Sequence, residues 1–136
     1  MAKASSIVLC DTNILIEAFR NNKLVIEEFD KIKYENIAIS VITIAELLFG
    51  ARNKQEYNEI RRRIDKIRIF SIDTDISNIF HKLVEDYSLS HSIGIADSLI
   101  AATSLSHNIK LFTLNIKDFH FIPDLVIHSM STSFLH

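Results

Sequence analysis

Four carboxylates in this sequence stand beside apolar runs instead of on charged faces. They are Asp11 after Ile7-Val8-Leu9-Cys10, Glu46 within Thr43-Ile44-Ala45-Glu46-Leu47-Leu48-Phe49, Asp97 within Ile95-Ala96-Asp97-Ser98-Leu99-Ile100, and Asp118 three residues after Asn115. Acids from such distant segments do chemistry together only if the fold converges them. Converged carboxylates repel, and a hard divalent cation relieves that repulsion. Mg²⁺ or Mn²⁺ prefers oxygen ligands and keeps several waters, so acids without accompanying histidine or cysteine suit it better than zinc. Such an ion also activates water and steadies a scissile phosphate, so the chemistry most directly implied is phosphodiester hydrolysis.

Each acid also has a structural reading. Thr43-x-x-Glu46 matches a helix capping box, Asp97 fits as the cap of a helix starting at Ser98, and Asp11 as the cap of one starting at Thr12. Caps outnumber metal ligands when each acid is taken alone. The joint occurrence of all four shifts the balance toward function.

The elements that must position them alternate along the chain. Ser6 to Cys10, Ile37 to Ser40, Ile67 to Ile72 and Lys110 to Leu114 read as short buried strands, with a fifth expected over Leu125 to His128. Helical periodicity covers Ile14 to Arg20, Leu24 to Ile32, Ile42 to Ala51, Gln55 to Lys66, Ile76 to Tyr87 and Ile95 to Ser106. Asp73 or Thr74 is the expected cap of the fifth helix, and Gly50 marks the end of the third. Strands alternating with helices imply an α/β protein, with a mainly parallel sheet between two helical layers. In such a sheet the ends of central strands open on one crevice where strand order reverses, and acids there can meet.

Composition narrows the classes. A chain of 136 residues with 48% hydrophobic and 24% charged residues is expected to form a single globular domain over 1–136. Its two glycines, Gly50 and Gly94, are too far apart for G-x-G-x-x-G, a Walker A loop or G-x-S-x-G. Cys10 is the only cysteine, which excludes an internal disulfide and a multi-cysteine zinc site and fits a reducing, cytoplasmic setting. The apolar run before Asp11 is too short for a signal-peptide core, and the greasy stretch Ile37 to Ala51 contains Glu46, so neither export nor a membrane span is expected. The serine-bearing ends are expected to fray.

Taken in order, Asp11-Thr12-Asn13, Ile44-Ala45-Glu46-Leu47-Leu48-Phe49-Gly50-Ala51, Ile95-Ala96-Asp97-Ser98-Leu99-Ile100-Ala101-Ala102 and Thr113-Leu114-Asn115-Ile116-Lys117-Asp118-Phe119 resemble the successive motifs of PIN-domain ribonucleases, the VapC toxin branch most. The likeness runs from Ile7 to about Val126. It implies a three-layer α/β/α sandwich and a Mg²⁺-dependent endoribonuclease acting on cellular RNA. It also implies a homodimer neutralised by a cognate VapB-like antitoxin, with DNA reached only through that antitoxin. By position, Asp11, Glu46 and Asp97 match the principal acids and Asp118 the more variable fourth, Asp11 and Asp97 being the implied metal ligands. Asn13, Thr113 and Asn115 match supporting polar positions. Leu114 departs from a basic residue often found there, and Asp124 replaces a common glycine after Pro123.

A net charge of -2 gives the molecule no overall attraction for nucleic acid, so RNA binding must come from a local patch. Arg61-Arg62-Arg63, near Lys66 and Arg68, is that candidate; interleaved Glu56, Glu59 and Asp65 make a solvated helix face the plain alternative. The six histidines show no metal-binding spacing, and His91, near the Asp97 motif, is the one placed to matter. A haloacid-dehalogenase phosphatase would need a second acid where Asn13 stands. A response-regulator receiver would need an adjacent acidic pair, which Cys10-Asp11-Thr12 lacks. The remaining alternative is a non-catalytic RNA- or partner-binding PIN-like module.

Overall fold

The computed structural model describes residues 6–130. The ends expected to fray, 1–5 and 131–136, lie outside the described residues. The elements run β1 (Val8–Cys10), α1 (Thr12–Phe19), α2 (Lys23–Ile32), β2 (Ile37–Ser40), α3 (Val41–Phe49), α4 (Lys54–Ile64), β3 (Arg68–Phe70), α5 (Thr74–Tyr87), α6 (Ile95–His107) and β4 (Lys110–Phe112). Short 3₁₀ turns occupy Tyr34–Asn36 and Ile116–Asp118.

Among the described residues the strands form one sheet in the order β3-β2-β1-β4, and every pairing is parallel. The chain builds outward from β1 through β2 to β3, then crosses back to lay β4 on the other side of β1. Strand order therefore reverses between β1 and β4, which is where a crevice opens beyond the strand ends in this architecture.

Side chains alternate across the sheet and feed two cores. Val8, Cys10, Ile37, Ile39 and Phe112 face a layer supplied by Leu15, Val25, Phe29, Leu47 and Ile64 from α1 to α4. Leu9, Ala38 and Leu111 face Ile76 and Leu83 of α5 and Ile100, Ala101 and Ala102 of α6. Burial on both faces explains why β1 and β2 read as continuous apolar runs, whereas the edge strand β3 is largely exposed. The result is the expected α/β/α sandwich.

Helix starts follow local chemistry. Asn22, Ser40, Asn53 and Asp73 each accept backbone N–H groups of the first turn of α2, α3, α4 and α5. Two of the capping alternatives fail: Ser40, not Thr43, caps α3, and Gly94 is the N-cap position of α6, leaving Asp97 inside its first turn. Asp11 does cap α1, its carboxylate accepting from Thr12 N–H. Gly50 ends α3 with φ −78°, so the turn there does not need glycine; the left-handed helix end is Asn108 after α6, at φ 53°.

The fifth strand is a correction. Only Ile127 pairs, as a single parallel bridge to Leu111, flanked by Leu111 N–H to Val126 O and His128 N–H to Leu111 O. The segment is anchored by side chains instead: His128 Nε2 lies 2.8 Å from the buried Glu28 Oε2, and its ring is 5.0 Å from that of Phe112.

Candidate active site

Asp11 leaves the sheet at the C-terminal end of β1, where its N–H still bonds Phe112 O at 2.8 Å. Because β1 and β4 pair Cys10 with Phe112, the residues that follow, Asp11 and Thr113, emerge side by side. Asp11 is buried, and its carboxylate accepts three hydrogen bonds: Thr12 N–H at 2.7 Å, Thr113 Oγ1 at 2.7 Å and Asn13 Nδ2 at 3.3 Å. Asn13 Oδ1 accepts Leu114 N–H at 3.2 Å, so Asn13 and Thr113 fasten the loop after β4 to the start of α1, while Asn115 bonds only within that loop, its N–H donating to Thr113 Oγ1 at 3.0 Å.

Glu46 comes from α3, exposed at the rim of the crevice. Thr12 Oγ1 donates to Glu46 Oε1 at 2.5 Å and lies 3.2 Å from the buried Thr43 Oγ1, one helical turn before Glu46. Sequence reasoning missed Thr12 and Thr43 as site residues, although both stand inside the motifs it singled out. Asp97 is half-buried in the first turn of α6, and Asp118 closes the 3₁₀ turn beyond β4.

The four acids feel one another's charge. Burial, chiefly, and then Glu46 and Asp118 push the Asp11 carboxyl above its ordinary range, against the hydrogen bonds from Thr113 and Thr12. Asp97 is pushed up to about 6, first by burial and then by Asp11, Asp118 and Glu46. Glu46 and Asp118 thus act on the charge of both Asp11 and Asp97, and on those two the proton is held more tightly than on a free side chain.

The PIN domain family matches residues 8–123. The chain belongs to the PIN-domain family. It is similar to the ribonuclease VapC2 of Rickettsia felis, 33% identical over 132 residues that cover 90% of this chain and 97% of that protein. Among solved structures, this PIN domain superposes on a toxin–antitoxin complex from Klebsiella pneumoniae with a TM-score of 0.74 at 32% identity, covering 88% of this chain and 95% of that one. It superposes on the VapBC2 complex of Rickettsia felis bound to promoter DNA with a TM-score of 0.77 at 28% identity, covering 90% and 97%. It is therefore a PIN protein of the VapC type.

The residues of the basic cluster in this PIN domain line different hollows. Arg63 lines a cleft of about 590 Å³ between α1, α3 and α4 that includes Glu46 in its wall. Arg62 and Lys66, with Arg63, line a second hollow of about 960 Å³ against α1 and α2, and Arg61 lines neither. His91 stacks on Phe121 with ring centroids 4.1 Å apart, so its ring is packed against an aromatic partner.

Proposed function

We propose that this VapC-type PIN domain is the toxin of a VapBC-like toxin–antitoxin pair and a Mg²⁺-dependent endoribonuclease that cleaves cellular RNA. The observation that carries the reading is the placement of Asp11 at the point where strand order reverses, joined through Thr12 to Glu46 and near enough to Asp118 to feel its charge, with Asp97 facing the same acids. The relatives that it resembles are named ribonucleases and the structural neighbours are toxin–antitoxin complexes, which supports both halves of the proposal.

The donor set fits the ion. It is all oxygen, and among the described residues no three histidine, cysteine or acidic side chains close on a point as a complete protein cage. Mg²⁺ asks for one or two carboxylates and retains water, so Asp11 and Asp97 would hold it, or Mn²⁺ in its place. When bound, the ion supplies activation of water and neutralisation of the phosphate's charge.

The chain's own residues do the rest. Asp11 is held rigid by Thr12, Asn13 and Thr113, so it needs no reorganisation when substrate enters. Glu46, exposed and held at one oxygen by Thr12, orients the attacking water and accepts its proton as the ribose oxygen leaves phosphorus. Asp118 adds negative charge that favours cation binding over an empty, partly protonated cluster. The partner that silences the enzyme is a VapB-like antitoxin; the active form is a homodimer in the cytoplasm, and DNA is contacted only through the antitoxin. Among the described residues no helix is long and apolar enough to cross a membrane.

The test is cleavage of a labelled single-stranded RNA by the purified chain, with Mg²⁺ and with chelator. Cleavage only with the ion, abolished by Asp11→Asn, supports the reading. RNA binding with no cleavage under any divalent ion returns it to a non-catalytic binding module.

A further inference from the structure

The cleft between α1, α3 and α4 starts at the acidic crevice, since Glu46 belongs to its wall. Its volume of about 590 Å³ falls in the range of roughly 300–1,000 Å³ typical of ligand sites. Three guanidinium groups line it, from Arg20, Arg52 and Arg63.

Each is steadied by one carboxylate outside the acidic crevice. Arg20 Nη1 is 3.5 Å from Glu17, Arg52 Nη2 is 3.2 Å from Glu56, and Arg63 Nη2 is 3.5 Å from Glu59. Exposed pairs of this length are weak and exchange readily for a better anion. A guanidinium carries five donors, so the cleft holds more N–H groups than its carboxylates can take up. Arg63 is also oriented: Nη1 donates to Phe19 O at 3.3 Å, and its guanidinium lies 5.0 Å from the centre of the Phe19 ring.

Nothing in their spacing groups these three, because Arg20 and Arg52 lie outside the basic run. The geometry points to a track for nucleic acid: we propose that this cleft carries the RNA strand adjoining the scissile phosphate, with Arg63 anchoring a backbone phosphate and Arg20 and Arg52 flanking it. Arg63 is thus a positioning residue. The proposal rests on the nuclease reading above. A basic protein segment is the competing occupant, but it would have to lie against three guanidinium groups of its own charge in the same walls.

The test is fluorescence anisotropy of a labelled single-stranded RNA with the full chain, in chelator so that nothing is cut, over a salt series. Arg63→Gln is expected to weaken binding five- to tenfold and to reduce the slope of log K against log salt by about 0.7, the loss of one phosphate contact. Arg63→Lys should recover part of the affinity. Arg20 is 74% exposed, so Arg20→Gln spares the fold and should weaken binding two- to threefold. Lys82→Gln on α5 should bind as the parent does. Parent-like affinity and salt slope in Arg63→Gln and Arg20→Gln overturn the track. So does a nona-arginine peptide whose binding falls in Glu59→Gln while RNA binding is indifferent to the arginines, since that marks a protein-docking cleft. Cleavage separates the two readings: a chain that cuts RNA with parent-like arginine variants loses only the track, whereas Arg63-dependent binding without cleavage loses only the nuclease.

Discussion

Thr113 Oγ1 donates to Asp11 Oδ2 at 2.7 Å, joining residues 102 positions apart in the chain. The contact follows from register: β1 and β4 are neighbours only because the chain crosses back over the sheet after β3, and the first residues beyond them face each other. The hydroxyl opposes the burial that raises the Asp11 pKa. It keeps the acid ionised at a lower pH than it would otherwise be.

Thr113→Val keeps the shape and removes that donor. Asp11 then binds its proton more tightly, so the acid limb of the pH–rate profile should move to higher pH. Cleavage at pH 6 should fall about tenfold, with a smaller loss at pH 8. The pH dependence of kcat/KM measures it; an unshifted acid limb would mean that the hydroxyl does not tune the acid.

Thr12→Val should release Glu46 while leaving Asp11 its Thr12 backbone hydrogen bond. The expected result is a drop in kcat of about tenfold with KM little changed, since the interaction holds the group that handles water and not the strand. Steady-state kinetics on one RNA substrate check this, and a change confined to KM would contradict it.

Asp97 carries the clearest link between charge and stability. With its folded pKa raised from 3.8 to about 6, its proton is held by the folded state and released by the unfolded one between those values. The Asp97 contribution to stability in chelator is therefore full below pH 4, falls as pH rises to about 6, and is gone above it. Discounted for its half-exposed position, the loss is on the order of 1 kcal/mol. Asp97→Asn should remove this pH dependence and melt roughly 2–6 °C above the parent in chelator at pH 7.5. Added Mg²⁺ should raise the parent more than the variant. Melting curves at pH 4.5 and 7.5 with and without Mg²⁺ test the sign; an Asp97→Asn variant that melts no higher in chelator would show that the acids do not strain one another.

Much of this was legible before any coordinates. Val8-Leu9-Cys10 and Ile37-Ala38-Ile39 could only be strands buried on both faces, and that burial implied a parallel sheet with helices on each side. The four acids stood out because a charge beside such runs must be either paired or functional. Other features depended on three-dimensional register. The Leu125 to His128 run has the composition of a strand, yet only Ile127 meets the sheet, and side-chain contacts from His128 to Glu28 and Phe112 hold the segment. Thr12 and Thr43 were hidden because a threonine near a helix start reads as a cap, and only the packing of α3 beside α1 brings the Thr12 hydroxyl to Glu46 and to Thr43. Arg20 and Arg52 were hidden for the same reason, being distant from the arginine run and joined to Arg63 only by the cleft.

The proposed function requires Asp11 and its three companion acids to work as one cation-dependent hydrolytic site. Single-turnover cleavage of labelled RNA by the parent, Asp11→Asn and Asp97→Asn, across a Mg²⁺ titration, tests it most directly. The parent should not cleave in chelator and should be activated saturably by Mg²⁺, and each variant should lose at least a hundredfold with circular dichroism unchanged. Cleavage that persists in chelator, or that either variant retains at the parent's rate, would contradict it.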